Sequence, residues 1–311
     1  MRRRALLIGV LLALVVPVRF APAQSWDELR AVYDYDAAAP LDASVASVEE
    51  AGQLIYERLS FAGEGGERVP ALLMRPTGAE RPPCALFLHG LGGDKDQARL
   101  VAALLAPHGV AVLAIDAALH GDRAPEGGLD EAALAGDFFT TGGPLVRTVI
   151  DNRRAIDYIA TRDDVDAQRI VVVGASMGAI LGSVLSAVDE RVDATALIVG
   201  GGDWATLLAT SEHPLARRLR DAGAGDGTML ARVDPVNFIG HISPRPVLMV
   251  NGTTDEIMPR ACAEALHRAA GEPSAIIWYE GGHVGMPPQT LLAIGAWIVE
   301  QAGVAAQAPQ G

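Results

Sequence analysis

Between Ile170 and Ile180 the chain reads Ile-Val-Val-Val-Gly-Ala-Ser-Met-Gly-Ala-Ile. The β-branched run fits a buried, pleated strand, and it passes without a break into helical patterning. Only a sharp turn can join two such elements, and Gly174 and Gly178 suit it, because a Cβ at either position would crowd the neighbouring strand or helix. A strand that feeds directly into a helix is the unit of a parallel sheet covered by helices. The same alternation continues along the chain. Strands are expected near 54–61, 69–75, 84–89, 110–116, 169–174, 194–199, 246–251 and 275–279, and helices near 97–108, 146–160, 177–188, 261–270 and 289–301. The first two strands flank Gly63-Glu64-Gly65-Gly66 and read as an antiparallel hairpin at the sheet edge. The expected fold class is α/β, a mostly parallel eight-stranded sheet with helices on both faces.

The turn lifts the Ser176 hydroxyl out of the sheet. In a chain with 34 glycines a Gly-x-Ser-x-Gly can arise by accident, and the strand before it and the helix after it are what give it meaning. A serine hydroxyl is a poor nucleophile alone and needs a base and an orienting acid. Pro246–Gly252 reads as a buried strand, and it ends in Thr253-Thr254-Asp255-Glu256. Ala275–Tyr279 reads as another and ends in Glu280-Gly281-Gly282-His283. Ser176, Asp255 and His283 each follow the C-terminal end of an expected strand, and in an open parallel sheet those ends share one edge, where ligands bind. His283 is the candidate base and Asp255 the acid that fixes its tautomer. The alternative for Asp255 is a plain turn or N-cap residue. Glu256 and Asp203 are the rival acids. Of the seven histidines only His283 lies between the last strand and the last helix.

The strand Cys84–His89 runs into Gly90-Leu91-Gly92-Gly93. A glycine-rich turn lets backbone N–H groups converge on one point, as a developing oxyanion requires. The candidate donors are the amides of Leu91 and Met177; Met177 opens a helix, where N–H groups are free and the dipole favours negative charge.

Taken together, His89-Gly90-Leu91-Gly92-Gly93, Asp116 with His120-Gly121, Gly174–Gly178, Asn251–Asp255 and Gly282-His283 resemble the α/β-hydrolase superfamily, in particular the dienelactone-hydrolase-like and prolyl-oligopeptidase-like esterases. The resemblance covers roughly residues 54–301. It implies an α/β-hydrolase fold and a serine hydrolase that uses no cofactor. It also implies a mainly structural role for Asp116 and His120-Gly121, with His120 as a pocket wall. The chain departs from dienelactone hydrolase itself in having serine, not cysteine, as nucleophile, which disfavours dienelactone as substrate. The absence of a β-propeller ahead of the domain disfavours an oligopeptidase.

Met1-Arg2-Arg3-Arg4, the apolar run Ala5–Val18 and Ala21-Pro22-Ala23 have the three parts of a signal peptide, so residues 1–23 are expected to be removed. The apolar run is too short for a membrane anchor. The mature protein is then expected in the periplasm or secreted, with no stable membrane anchor. Loss of the segment's four arginines takes the formal charge from −13 to −17, which argues against nucleic acid as a partner. Residues 24–50 are expected to be peripheral, 51–301 to form the hydrolase domain and 302–311 to be a flexible tail. Cys84 and Cys262 are expected to be buried free thiols. No Cys-x-x-Cys or His-x-x-x-His suggests a metal.

Two long connections remain, Ala117–Leu145 and Gly200–Ser243. Loops this long are usually functional. His120, Phe138, Phe139 and Trp204 are candidate substrate-binding residues there, and Leu207 and Leu208 accompany Trp204, with packing of the loops onto the body as the competing role. The function expected is hydrolysis of carboxylic esters with a short to medium acyl group or a small alcohol, through an acyl-enzyme. An amidase or peptidase, an acyltransferase, and a non-catalytic binding protein on the same fold are the alternatives.

Overall fold

The computed structural model describes residues 24–127, 143–221 and 230–304. Its centre is a mixed sheet of nine strands: β1 (Ser44–Ala51), β2 (Leu54–Ala62), β3 (Arg68–Pro76), β4 (Pro83–Leu88), β5 (Ala111–Ile115), β6 (Asp166–Ala175), β7 (Ala194–Ile198), β8 (Val247–Gly252) and β9 (Ser274–Tyr279). The spatial order is β1-β2-β3-β5-β4-β6-β7-β8-β9. Pairing is antiparallel from β1 to β5 and parallel from β5 through β4 to β9.

The sheet has one strand more than the eight expected. All eight residues of β1 are exposed, so Ser44–Ala51 has no buried face to produce a hydrophobic alternation. β1 also displaces the hairpin of β2 and β3 from the outermost position. Ahead of it, helix α1 (Trp26–Ala31) is opened by a Ser25–Glu28 capping box. Leu29 and Tyr33 reach the core at 5% and 1% exposure.

Side chains of one strand point alternately to the two faces, and the core divides accordingly. Leu86 and Leu88 of β4 join Val172 of β6 on one face, against helices α3 (Pro144–Ala160) and α4 (Met177–Val188). Ala85 and Phe87 join Val171 and Val173 on the other, against α2 (Ala98–Leu105) and α8 (Pro288–Gln301). Every residue of α4 is buried, as is every residue of β4. The central parallel strands are thus covered on both sides, and their C-terminal ends are where the chain leaves the core for loops.

The described part of the connection after β7 is largely helical. Residues Trp204–Thr210 (α5) and Pro214–Asp221 (α6) form two short helices, and α7 (Arg260–Ala269) follows β8. Asp203 starts α5 by accepting from the Thr206 N–H and hydroxyl, an N-cap at a position where Gly201 and Gly202 mask the signal. Cys84 and Cys262 are both free and buried. Among the described residues no helix is long and apolar enough to cross a membrane, and no cluster of side chains could hold a metal ion.

Candidate active site

Ser176 sits between β6 and α4 with φ 56° and ψ −116°. That backbone is disfavoured for a side-chain-bearing residue and costs on the order of 1–3 kcal/mol, so the surroundings must impose it. They do so through two glycines. A Cβ on Gly174 would lie 2.2 Å from the Gly178 carbonyl oxygen, and one on Gly178 would lie 2.0 Å from the Leu88 carbonyl oxygen. Close contact of β6, α4 and β4 therefore demands glycine at both positions. The Ser176 N–H is anchored to the Ile198 carbonyl at 2.8 Å.

The loops after β8 and β9 are tied to each other. The Thr253 N–H donates to the Tyr279 carbonyl, the Thr254 N–H to the Gly281 carbonyl, and the Tyr279 hydroxyl to the Gly282 carbonyl. These bonds bring Asp255 and His283 together. Asp255 Oδ2 lies 2.8 Å from His283 Nδ1, and His283 Nε2 lies 2.9 Å from Ser176 Oγ. A carboxylate only accepts, so Nδ1 carries the proton and Nε2 is free to accept from the serine hydroxyl. The Asp255 side chain is 0% exposed. Its other oxygen, Oδ1, accepts the N–H groups of Ile257 and Met258. Asp255 is thus a turn residue and the partner of His283 at once. The rival acids lie elsewhere. Glu256 is exposed, and Asp203 is engaged in capping α5.

Leu91 and Met177 line the same cavity as Ser176. Met177 is the first residue of α4, so its N–H has no carbonyl within the helix. The cavity wall is mostly apolar, with Ser211 and His213 as its polar members beside Ser176, and comes mainly from the connection after β7. Trp204, Leu207 and Leu208 of α5 and Leu215 and Leu219 of α6 line it, with Ile180 and Met258. The Trp204 indole is fixed by its Nε1–H bond to the Val233 carbonyl at 3.0 Å. The Asp234 carboxylate accepts the N–H groups of Asp203 and Trp204. The sequence pointed to Trp204, Leu207 and Leu208 but not to α6, whose Leu215 and Leu219 are spaced i, i+4 in an eight-residue helix too short for a clear period.

His120 is not a pocket wall. It is 4% exposed and does not line the cavity beside Ser176, its Nδ1 bonds to the Ala118 carbonyl, and its ring lies 5.3 Å from that of His89. Burial pushes its imidazole below the ordinary histidine value. A chain reversal at Ala117–His120 turns the ring inward. Phe138 and Phe139 lie outside the described residues, as does the 1–23 segment. Asp116, fully buried, accepts the Lys95 ammonium at 2.8 Å and the backbone N–H groups of Lys95 and Asp122. It therefore fastens the loop after β4 to the loop after β5.

The chain resembles known proteins over most of its length. It is 28% identical over 258 residues to YtaP of Bacillus subtilis (strain 168), covering 78% of this chain and 83% of that one. It is 26% identical over 212 residues to esterase YjfP of Escherichia coli (strain K12), covering 66% of this chain and 82% of that one. Acetyl xylan esterase 1 from Thermoanaerobacterium sp. JW/SL YS485 superposes with a TM-score of 0.73 at 20% identity, covering 88% of this chain and 93% of that one, which identifies the shared α/β-hydrolase fold. Residues 69–285 match the model of the dienelactone hydrolase family. That span holds the glycine-rich loop, the serine turn, Asp255 and His283, and by it the chain belongs to the dienelactone hydrolase family, whose members are hydrolases.

Proposed function

We propose that the protein is a serine esterase. Ser176 attacks the ester carbonyl carbon while His283 takes its proton at Nε2. Asp255 holds the ring and stabilises the imidazolium. The N–H groups of Leu91 and Met177 receive the oxyanion. His283 then returns the proton to the leaving alcohol, and water repeats the sequence in reverse on the acyl-enzyme. The observation that carries this reading is the unbroken hydrogen-bond series from Asp255 through His283 to Ser176, opening on an apolar cavity. Such a wall suits an uncharged acyl chain of short to medium length, desolvated beside the reacting carbon. The esterase among the relatives points to the same bond type. The 1–23 segment supports export to the periplasm or beyond.

The test is hydrolysis of p-nitrophenyl esters from acetate to decanoate by wild type and Ser176→Ala. Turnover is expected in wild type, and a loss of about a thousandfold or more in Ser176→Ala with folding unchanged. A fully active Ser176→Ala would sink the mechanism. A folded wild type that cleaves no ester but cleaves an anilide would make it an amidase.

A further inference from the structure

The Leu91 N–H belongs to the peptide unit that carries the Gly90 carbonyl. A trans peptide is planar, so its N–H and C=O point in opposite directions. Whatever holds the carbonyl therefore aims the N–H. The Gly90 oxygen accepts the Gly93 N–H at 3.0 Å and lies 2.8 Å from His89 Nδ1. The other ring nitrogen sets the direction of that second bond. The Ala117 N–H donates to His89 Nε2 at 3.0 Å, so Nε2 bears no proton and Nδ1–H donates to Gly90. His89 is 2% exposed, and the Gly90 carbonyl is consequently drawn inward. The Leu91 N–H lies on the far side of the same plane, and Leu91 and Ser176 line one cavity. Gly90 adjoins the nucleophile directly, since a Cβ placed on it would lie 3.4 Å from Ser176 Cβ.

We infer that His89 is a positioning residue for the oxyanion hole: by bridging the Ala117 N–H and the Gly90 carbonyl it aims the Leu91 N–H at the tetrahedral oxygen. This rests on the reading of Ser176 as nucleophile and Leu91 as donor given above. His89 touches no reacting atom. Its effect is to exclude the flipped peptide, which would turn the Gly90 oxygen toward the developing negative charge and replace a donor by a repelling dipole. The ring is itself held from the loop after β5, which Asp116 and Lys95 fasten in turn.

Two substitutions separate the bonds. In His89→Asn the amide nitrogen stands close to the Nδ1 position and keeps the donor to Gly90, but the side chain cannot reach Ala117. In His89→Gln the amide oxygen stands close to the Nε2 position and keeps the acceptor for Ala117, but the donor to Gly90 is gone. The readouts are steady-state hydrolysis of p-nitrophenyl butyrate and inhibition by butylboronic acid, whose tetrahedral adduct on Ser176 directs an oxygen into the hole. His89→Gln is expected to lower kcat by about tenfold to a hundredfold, with KM little changed and the boronate Ki raised by the same factor. His89→Asn, which keeps the donor to Gly90 but not the anchor at Ala117, is expected to lose severalfold less than His89→Gln in both. A loss in His89→Asn equal to or greater than that in His89→Gln would overturn the inference, because the donor to Gly90 would then not be what sets the Leu91 N–H. So would wild-type kcat and Ki in His89→Gln. The underlying reading fails on a different result, an undiminished Ser176→Ala.

Discussion

Lys95 is the single lysine in a chain with twenty-four arginines, and its ammonium bridges two carboxylates of very different surroundings. Asp116 and Asp122 each stand 2.8 Å from Nζ, yet the Asp116 side chain is 0% exposed and that of Asp122 is 71% exposed. Equal distances therefore conceal unequal contributions. Lys95→Met keeps the length of the side chain and removes the charge, which leaves the Asp116 carboxylate buried without that cation. Removing one partner of a buried pair typically costs about 3–5 kcal/mol. The low end applies here, because Asp116 retains the backbone N–H groups of Lys95 and Asp122; the expected loss is about 3 kcal/mol. Asp122→Asn removes only the solvated half of the bridge and should cost less than about 1 kcal/mol. Lys95→Arg should cost roughly 1–3 kcal/mol, since a planar guanidinium is larger than the space a compact ammonium fills. Urea titration followed by tryptophan fluorescence gives each value, and a loss of about 3 kcal/mol corresponds to a fall of roughly 6–12 °C in Tm. If Lys95→Met and Asp122→Asn destabilise equally, burial of Asp116 does not set the energy and the reasoning is wrong.

Two other outcomes follow from the geometry. Gly178→Ala sets a Cβ against the Leu88 carbonyl at 2.0 Å, so α4 must move from β4; the expected cost is about 1–3 kcal/mol or more, with a drop in kcat because Met177 moves with the helix, and an unchanged Tm would contradict the close approach. Burial pulls the imidazoles of His89 and His120 below the ordinary value, so below about pH 6.5 the unfolded chain binds protons that the folded one refuses, and stability falls with pH by up to about 1.4 kcal/mol per unit for each ring. His120→Phe should flatten that acid slope between pH 6.5 and 5 relative to wild type; an identical slope would show that His120 does not contribute to it.

Most of the sheet and the meeting of three distant side chains could be read from the sequence because each rests on a local signal. A buried parallel strand is a continuous apolar run, and the chain leaves its C-terminal end at a point that topology alone brings to one edge. The runs ending before Ser176 and Asp255 are of this kind, and the run before His283 is an apolar edge strand that is only partly buried. What escaped has a physical reason in each case. Strand β1 buries nothing, so Ser44–Ala51 carries no pattern. Helices α5 and α6 are seven and eight residues long, about two turns, and a period cannot be established over two turns. The family resemblance implies His120 as a pocket wall, but the backbone reversal before it decides where the ring points, and no side-chain pattern encodes that.

The same limit explains why Asp255 admitted two meanings. An aspartate after a strand that caps the following turn and an aspartate that orients a histidine look identical in sequence. In the fold the two roles use different oxygens: Oδ1 accepts the Ile257 and Met258 N–H groups, and Oδ2 faces His283 Nδ1. The structural bonds are what make the second role possible. A carboxylate free to rotate would satisfy itself with water, whereas two backbone donors on Oδ1 lock the plane of the group and present Oδ2 to the imidazole at 2.8 Å. His89 has the same division of labour, with one ring nitrogen held by the Ala117 N–H and the other directed at the Gly90 carbonyl. In both cases backbone N–H groups orient the side chain, and the side chain orients a group next to the nucleophile.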